Sequence, residues 1–141
     1  MRSRLQPFGA TLIMPGCAVA SSAEPRALPA SDSSRAVFEH FVDLLYRRRQ
    51  VRAAFETCVV AHGYLDHAPG GFGSRASAMA VLGQKLGAGG AQVEVLYSVF
   101  EGDIGMVHLA VRHEAESPPS ARVEIFRVAQ SRIVEHWGVA G

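Results

Sequence analysis

The sequence predicts an α+β domain in which helices pack on one face of an antiparallel sheet. Three observations carry this. Apolar residues recur at helical spacing in the first half of the chain, and four segments rich in Val, Ile, Phe, Tyr and Trp follow, separated by turn residues. The links are short, and helices first with strands afterwards is the order of a layered α+β domain. At 141 residues and 48% hydrophobic, the chain suits one compact domain with a real core. Lys plus Arg is 14 against 13 for Asp plus Glu, a net charge of +1, so no electrostatic footprint for nucleic acid is expected. All the basic residues but Lys85 are Arg, and no function is read from that bias. No apolar run reaches the roughly 18 residues of a membrane-spanning helix.

The first residues have a composition of their own. Arg2 and Arg4 precede a mostly apolar stretch from Phe8 to Met14, which Pro15 and Gly16 break before Ala18-Val19-Ala20. This is the layout of a secretory signal peptide over 1–20, cleaved after Ala20, and it implies an exported, periplasmic or secreted protein. Two other readings stay open: Met14-Pro15-Gly16-Cys17 as a degenerate lipoprotein box, or a leader without a targeting role, which implies a cytoplasmic protein. Residues 21–33, with Pro25 and Pro29, read as a linker, and 34–141 as the domain.

From Asp32, an expected N-cap, Val37, Phe38, Phe41, Val42, Leu44 and Leu45 fall at helical spacing. Arg47-Arg48-Arg49 closes this helix as cations complementing its dipole, although such a cluster is also a conceivable phosphate grip. A second helix over about 51–60 places Val51, Ala54, Phe55, Cys58 and Val59 on one face, which makes Cys58 a buried core thiol. With Cys17 the only other cysteine, neither a disulfide framework nor a thiolate zinc site is expected. Residues 61–74 read as a loop around Pro69, Gly70, Gly71 and Gly73. Ser74 caps a third helix to Leu86 whose apolar side is Ala76, Met79, Ala80, Leu82 and Leu86. Strands follow over 92–100, 104–113, 121–128 and 132–139, the first two joined by Glu101-Gly102-Asp103.

Strand alternation decides which residues share a face. Val107, Leu109 and Val111 form an apolar face, which leaves His108 on the other. Glu124 shares a side with Phe126 and Val128, and an acid in an apolar strand needs a reason. It either pairs with an Arg on a neighbouring strand or faces water, or points into an apolar pocket and serves proton transfer. The six histidines show no zinc-ligand spacing: His62 and His67 lack a clear third ligand, and no metal site is expected. No nucleophile elbow, phosphate loop or dinucleotide fingerprint occurs. Nucleotide cofactors are unsupported.

From about Arg35 to Val139 the chain resembles a SnoaL-like domain, the polyketide-cyclase branch of the nuclear-transport-factor-2-like superfamily. The resemblance rests on Leu44-Leu45-Tyr46 with Val51-Arg52-Ala53-Ala54-Phe55, on Tyr64-Leu65-Asp66-His67-Ala68-Pro69, and on Glu101-Gly102-Asp103 through His108. It continues through Val123-Glu124-Ile125-Phe126-Arg127-Val128 and Arg132-Ile133-Val134-Glu135-His136-Trp137. It implies a cone of three helices on a curved antiparallel sheet, a pocket between them, and a homodimer formed through the sheet. Members of the branch close rings by aldol condensation without metal or organic cofactor, so none is expected here, and the expected ligand is a small apolar or carbonyl-containing molecule.

By the same resemblance Glu124 is the general acid/base, assisted by His108 and His67, while Tyr64, Phe126 and Trp137 shape the substrate wall. The sequence departs from the pattern at several points. Glu124 replaces the usual Asp, Ala110 a second inward His, Ala68 the usual Asn after His67, and Gly138 the usual Asp after Trp137. Two functions are therefore weighed: a cyclase, isomerase or lyase acting on an enolisable carbonyl, and a non-catalytic ligand-binding or interaction domain. A buried Glu124 facing a closed apolar cavity favours the first, and an Arg-neutralised or solvent-facing one the second.

Overall fold

A computed structural model describes residues 30–141. The signal peptide expected over 1–20 and most of the expected linker lie outside the described residues. Helix α1 spans Ala30–Val42. Asp32 therefore lies inside its first turn, where a carboxylate complements the helix dipole, and not at the cap. The helix buries Phe38, Phe41 and Val42. A π-helical turn over Asp43–Arg47 follows, and it buries three consecutive residues, Leu44, Leu45 and Tyr46. A regular α-helix turns its third consecutive side chain away from the core; the wider turn brings Tyr46 inward. Arg49 (φ 58°) stops the helix in the left-handed region. Within the arginine cluster, Arg48 pairs with Asp43 at 2.6 Å.

Helix α2, Val51–Cys58, buries Val51, Ala54, Phe55 and Cys58, the face expected from its spacing. Burial pushes the Cys58 thiol up in pKa. Residues 61–74 hold more than a loop: Leu65–Asp66 is a short strand, β1. Helix α3, Arg75–Leu86, is capped by Ser74, whose side chain accepts from the Ser77 amide at 3.1 Å. Its buried residues are Ala78 and Leu86, with Met79 and Leu82 half-buried, whereas Ala76 and Ala80 face solvent. An alanine methyl buries too little area to orient a helix, so the longer side chains set its rotation.

The remaining strands are β2 (Gln92–Glu101), β3 (Ile104–Arg112), β4 (Ser120–Ala129) and β5 (Arg132–Ala140). Sheet order is β1-β5-β4-β3-β2, antiparallel except for β1 beside β5. Gly102 (φ 62°) makes the β2–β3 turn, and Gln130 and Ser131 (φ 49° and 56°) form the β4–β5 turn, the double left-handed conformation that matches strand twist. Register shifts near Leu96 in β2 and Val134 in β5 are bulges that curve the sheet around the helices.

The inner face carries Val107, Leu109 and Val111 of β3 beside Glu124, Phe126 and Val128 of β4. At Gly105 a β-carbon would lie 2.3 Å from a Phe38 ring carbon, so only glycine lets α1 approach the sheet this closely. Phe41 joins the layers, edge-on to Phe126 (5.1 Å) and Phe55 (5.5 Å). No helix among the described residues is long and apolar enough to cross a membrane.

Candidate functional site

Between the helices and the inner face lies a cavity of about 150 Å³ walled by Phe41, Leu45, Phe55, Leu82, Leu109 and Phe126. Glu124, 6% exposed, lines it from the centre of β4. Both carboxylate oxygens are engaged. Arg122, two residues earlier on the same face, donates from Nε to Oε1 at 2.5 Å, and Oε2 lies 2.6 Å from His136 Nε2. The other ring nitrogen of His136 lies 3.1 Å from Asp66 Oδ1.

Asp66 is held in turn. Its side chain is fully buried, with Oδ1 accepting from the Ala68 amide (3.0 Å) and Oδ2 from the Phe72 amide (3.2 Å). The pairing of β1 with β5 sets Asp66 opposite His136, and the ring is stacked on Phe126 at 4.8 Å. A neutral imidazole has one N–H. Facing two carboxylates, His136 makes both contacts as hydrogen bonds only when one further proton is present, on the ring or shared with Glu124. The array can therefore hold and pass a proton at the cavity wall.

Two phenols share the cavity. Tyr46 has its pKa raised by burial and by the neighbouring Glu124 carboxylate, and Tyr64 by burial, Asp66 and Glu124. Raised pKa values keep both protonated, so each phenol can donate a hydrogen bond to a group in the cavity. Gly138 makes room for the longer acid: a β-carbon there would lie 2.6 Å from Glu124 Oε2 and 3.3 Å from the Ala68 methyl. The departures at 68, 124 and 138 are thus one packing solution. Small residues at 68 and 138 accept a carboxylate that reaches one methylene further.

The sequence-predicted residues divide between the two faces of the sheet. Glu124, Tyr64 and Phe126 line the cavity. His108 does not: it pairs with Val123 and Tyr97 on the outer face, opposite in parity to Val107 and Leu109. Strand alternation had placed it there, and the pocket role drawn from the resemblance does not match its position. His67 and Trp137 are also outside the cavity, stacked on one another at 4.9 Å, with His67 Nε2 3.3 Å from Glu135 Oε2.

His136, Asp66, Arg122 and Tyr46 were not singled out. Arg122 was legible by parity, being two residues from Glu124. His136 was hidden by the bulge at Val134, which puts Ile133, His136 and Gly138 inward where plain alternation from Ile133 would bring Glu135 and Trp137. Among the described residues, no group of three or more His, Cys, Asp or Glu is arranged to hold a metal ion.

No protein-family model matches the chain, and no curated protein matches it. Solved structures do. An NTF2-like protein of unknown function from Mesorhizobium loti superposes with TM-score 0.65 at 16% identity, covering 82% of this chain and 97% of its own. A protein of Kribbella flavida provisionally named a ketosteroid isomerase gives TM-score 0.65 at 14% identity, with 79% of each chain covered. A protein of Jannaschia provisionally named a SnoaL-like polyketide cyclase gives 0.61 at 13%, covering 83% of this chain and 91% of that one. The described domain has the α+β cone fold of these NTF2-like structures.

Proposed function

We propose that the protein is a SnoaL-like enzyme of the cyclase, isomerase or lyase type, performing cofactor-independent acid–base chemistry on an enolisable carbonyl. The observation that carries this is the buried Glu124 carboxylate on the cavity wall, backed by His136 and Asp66. Glu124 takes a proton from the carbon beside the substrate carbonyl, and the phenols of Tyr46 and Tyr64 donate to the enolate oxygen. The enolate then either recovers the proton at another carbon or attacks a second carbonyl in the same molecule, whose alkoxide takes the proton back. His136 and Asp66 act through Glu124 as positioning residues. The names carried by structural neighbours, ketosteroid isomerase and polyketide cyclase, are compatible with this class of chemistry.

The Arg122 contact favours a second reading. A carboxylate held between a guanidinium and an imidazole is also how a ligand-binding pocket keeps a buried charge compensated without turnover. Deuterium exchange into phenylacetone, followed by NMR in D₂O, separates the two. The enzyme reading expects exchange accelerated about 10²-fold or more over buffer, and expects Glu124→Gln to abolish the acceleration with the fold intact. Exchange no faster than buffer, or undiminished in the variant, overturns it.

A homodimer through the outer sheet face belongs to the same proposal. Tyr97, Val99, Met106 and Val139 are exposed there, 62%, 38%, 36% and 58% respectively, an apolar patch across neighbouring strands of the kind that marks an association surface.

A further inference from the structure

Three basic side chains in the lining of the cavity are open to solvent, at least in part. They are Lys85 at the end of α3, His113 just beyond β3 and Arg122 of β4, and Glu124 is the one acid among the lining residues. That acid is already occupied by Arg122 and His136. Most other arginines near acids are committed: Arg48 to Asp43, Arg52 to Glu56, Arg127 towards Asp103 and Glu135. The basic side chains of the cavity lining differ. Arg122 uses only Nε, so its two terminal nitrogens have no protein acceptor among the described residues, and its side chain is 40% exposed. Lys85 lies over the Phe72 ring, 5.8 Å from its centre, without a carboxylate partner. Glu114 and Glu116 follow His113 in sequence but do not line the cavity.

From this we infer that the cavity takes a carboxylate-bearing molecule: a ring-sized apolar body inside, and an anionic head between Lys85, His113 and Arg122. A cavity of about 150 Å³ matches one aromatic ring, since an engineered apolar cavity of about that size binds benzene. The guanidinium touches the acid directly, Arg122 Nε lying 2.5 Å from Glu124 Oε1. A head held by the free edge of Arg122 thus sets carbon a few bonds away against Glu124, which selects keto acids and related enolisable acids as the substrate class. The inference rests on the reading of the cavity as a substrate site, but binding preference is measurable without turnover.

Three probes of equal shape decide it: 3-phenylpropionate, 3-phenylpropan-1-ol and 3-phenylpropylamine, titrated calorimetrically into the full chain at low and high salt. The acid is expected to bind about 10-fold tighter than the alcohol at low ionic strength, with the amine weakest, and the margin should shrink at high salt as charges are screened. Glu124→Gln, which tests catalysis, should retain the preference for the acid. Lys85→Gln with His113→Gln should reduce it several-fold while leaving alcohol affinity unchanged. Equal affinities, preference for the amine, no saturation by any probe, or an undiminished preference in the double variant overturns the inference, whatever the exchange experiment shows.

Discussion

Gly138→Ala tests whether the site is built around the length of Glu124. The added methyl would lie 2.6 Å from Glu124 Oε2 and 3.3 Å from the Ala68 methyl. Carbon–oxygen contacts are ordinarily about 3.3–3.6 Å, so the carboxylate must retreat by roughly 0.7–1 Å. The 2.6 Å contact to His136 then stretches to about 3.3 Å or more, past good hydrogen-bond geometry. A charge-assisted hydrogen bond contributes about 1.5–3 kcal/mol, and Gly138 has no left-handed φ to protect, so relief of unfolded-state entropy returns about 0.4–1 kcal/mol. The net expectation is a loss of about 1–2 kcal/mol, roughly 3–10 °C in Tm.

Without the Glu124 contact the same substitution would stabilise, so the sign alone is informative. Glu124→Asp shortens the acid by one methylene and should also destabilise, by loosening its contacts to Arg122 and His136. Combined with Gly138→Ala it should cost clearly less than the sum, because the shorter acid leaves room for the methyl. Thermal melts of the four proteins measure this. A neutral or stabilising Gly138→Ala, or strict additivity with Glu124→Asp, refutes the packing account.

The two buried phenols predict an alkaline limit. Tyr46 and Tyr64 have raised pKa values in the fold, so the stability they contribute is fully present below about pH 10, the unfolded phenol value, and is lost as pH rises towards the folded values. Phenolate absorbance and circular dichroism should change together during an alkaline titration, and Tyr46→Phe should lessen the loss of stability; reversible ionisation of all three tyrosines with dichroism unchanged contradicts this. For the outer face, sedimentation velocity should show a dimer that Met106→Lys with Val139→Lys converts to a folded monomer, and a monomeric parent protein refutes that interface.

Much of the architecture was legible because it follows from local periodicity. The α2 face through Phe55 and Cys58, the Ser74 cap, the β2–β3 turn at Gly102 and the parity of β3 and β4 each depend on residues only a few positions apart. Alternation set Glu124 on one side with Phe126 and Val128 and left open whether that side faces a pocket; the structure turns it inward and His108 to the outer face. What alternation could not reach was position after a register break. One extra residue at Val134 turns His136 and Gly138 inward and sends Trp137 outward, and a π turn does the same for Tyr46.

Sequence alone thus determined the α+β order and which residues share a side of β4 with Glu124, since each is encoded by spacing along one element. Tertiary structure decided what Glu124 touches. Asp66 and His136 lie 70 positions apart, and they meet because a two-residue strand runs parallel to β5, a pairing made by backbone hydrogen bonds and loop closure that leaves no periodic trace in the chain.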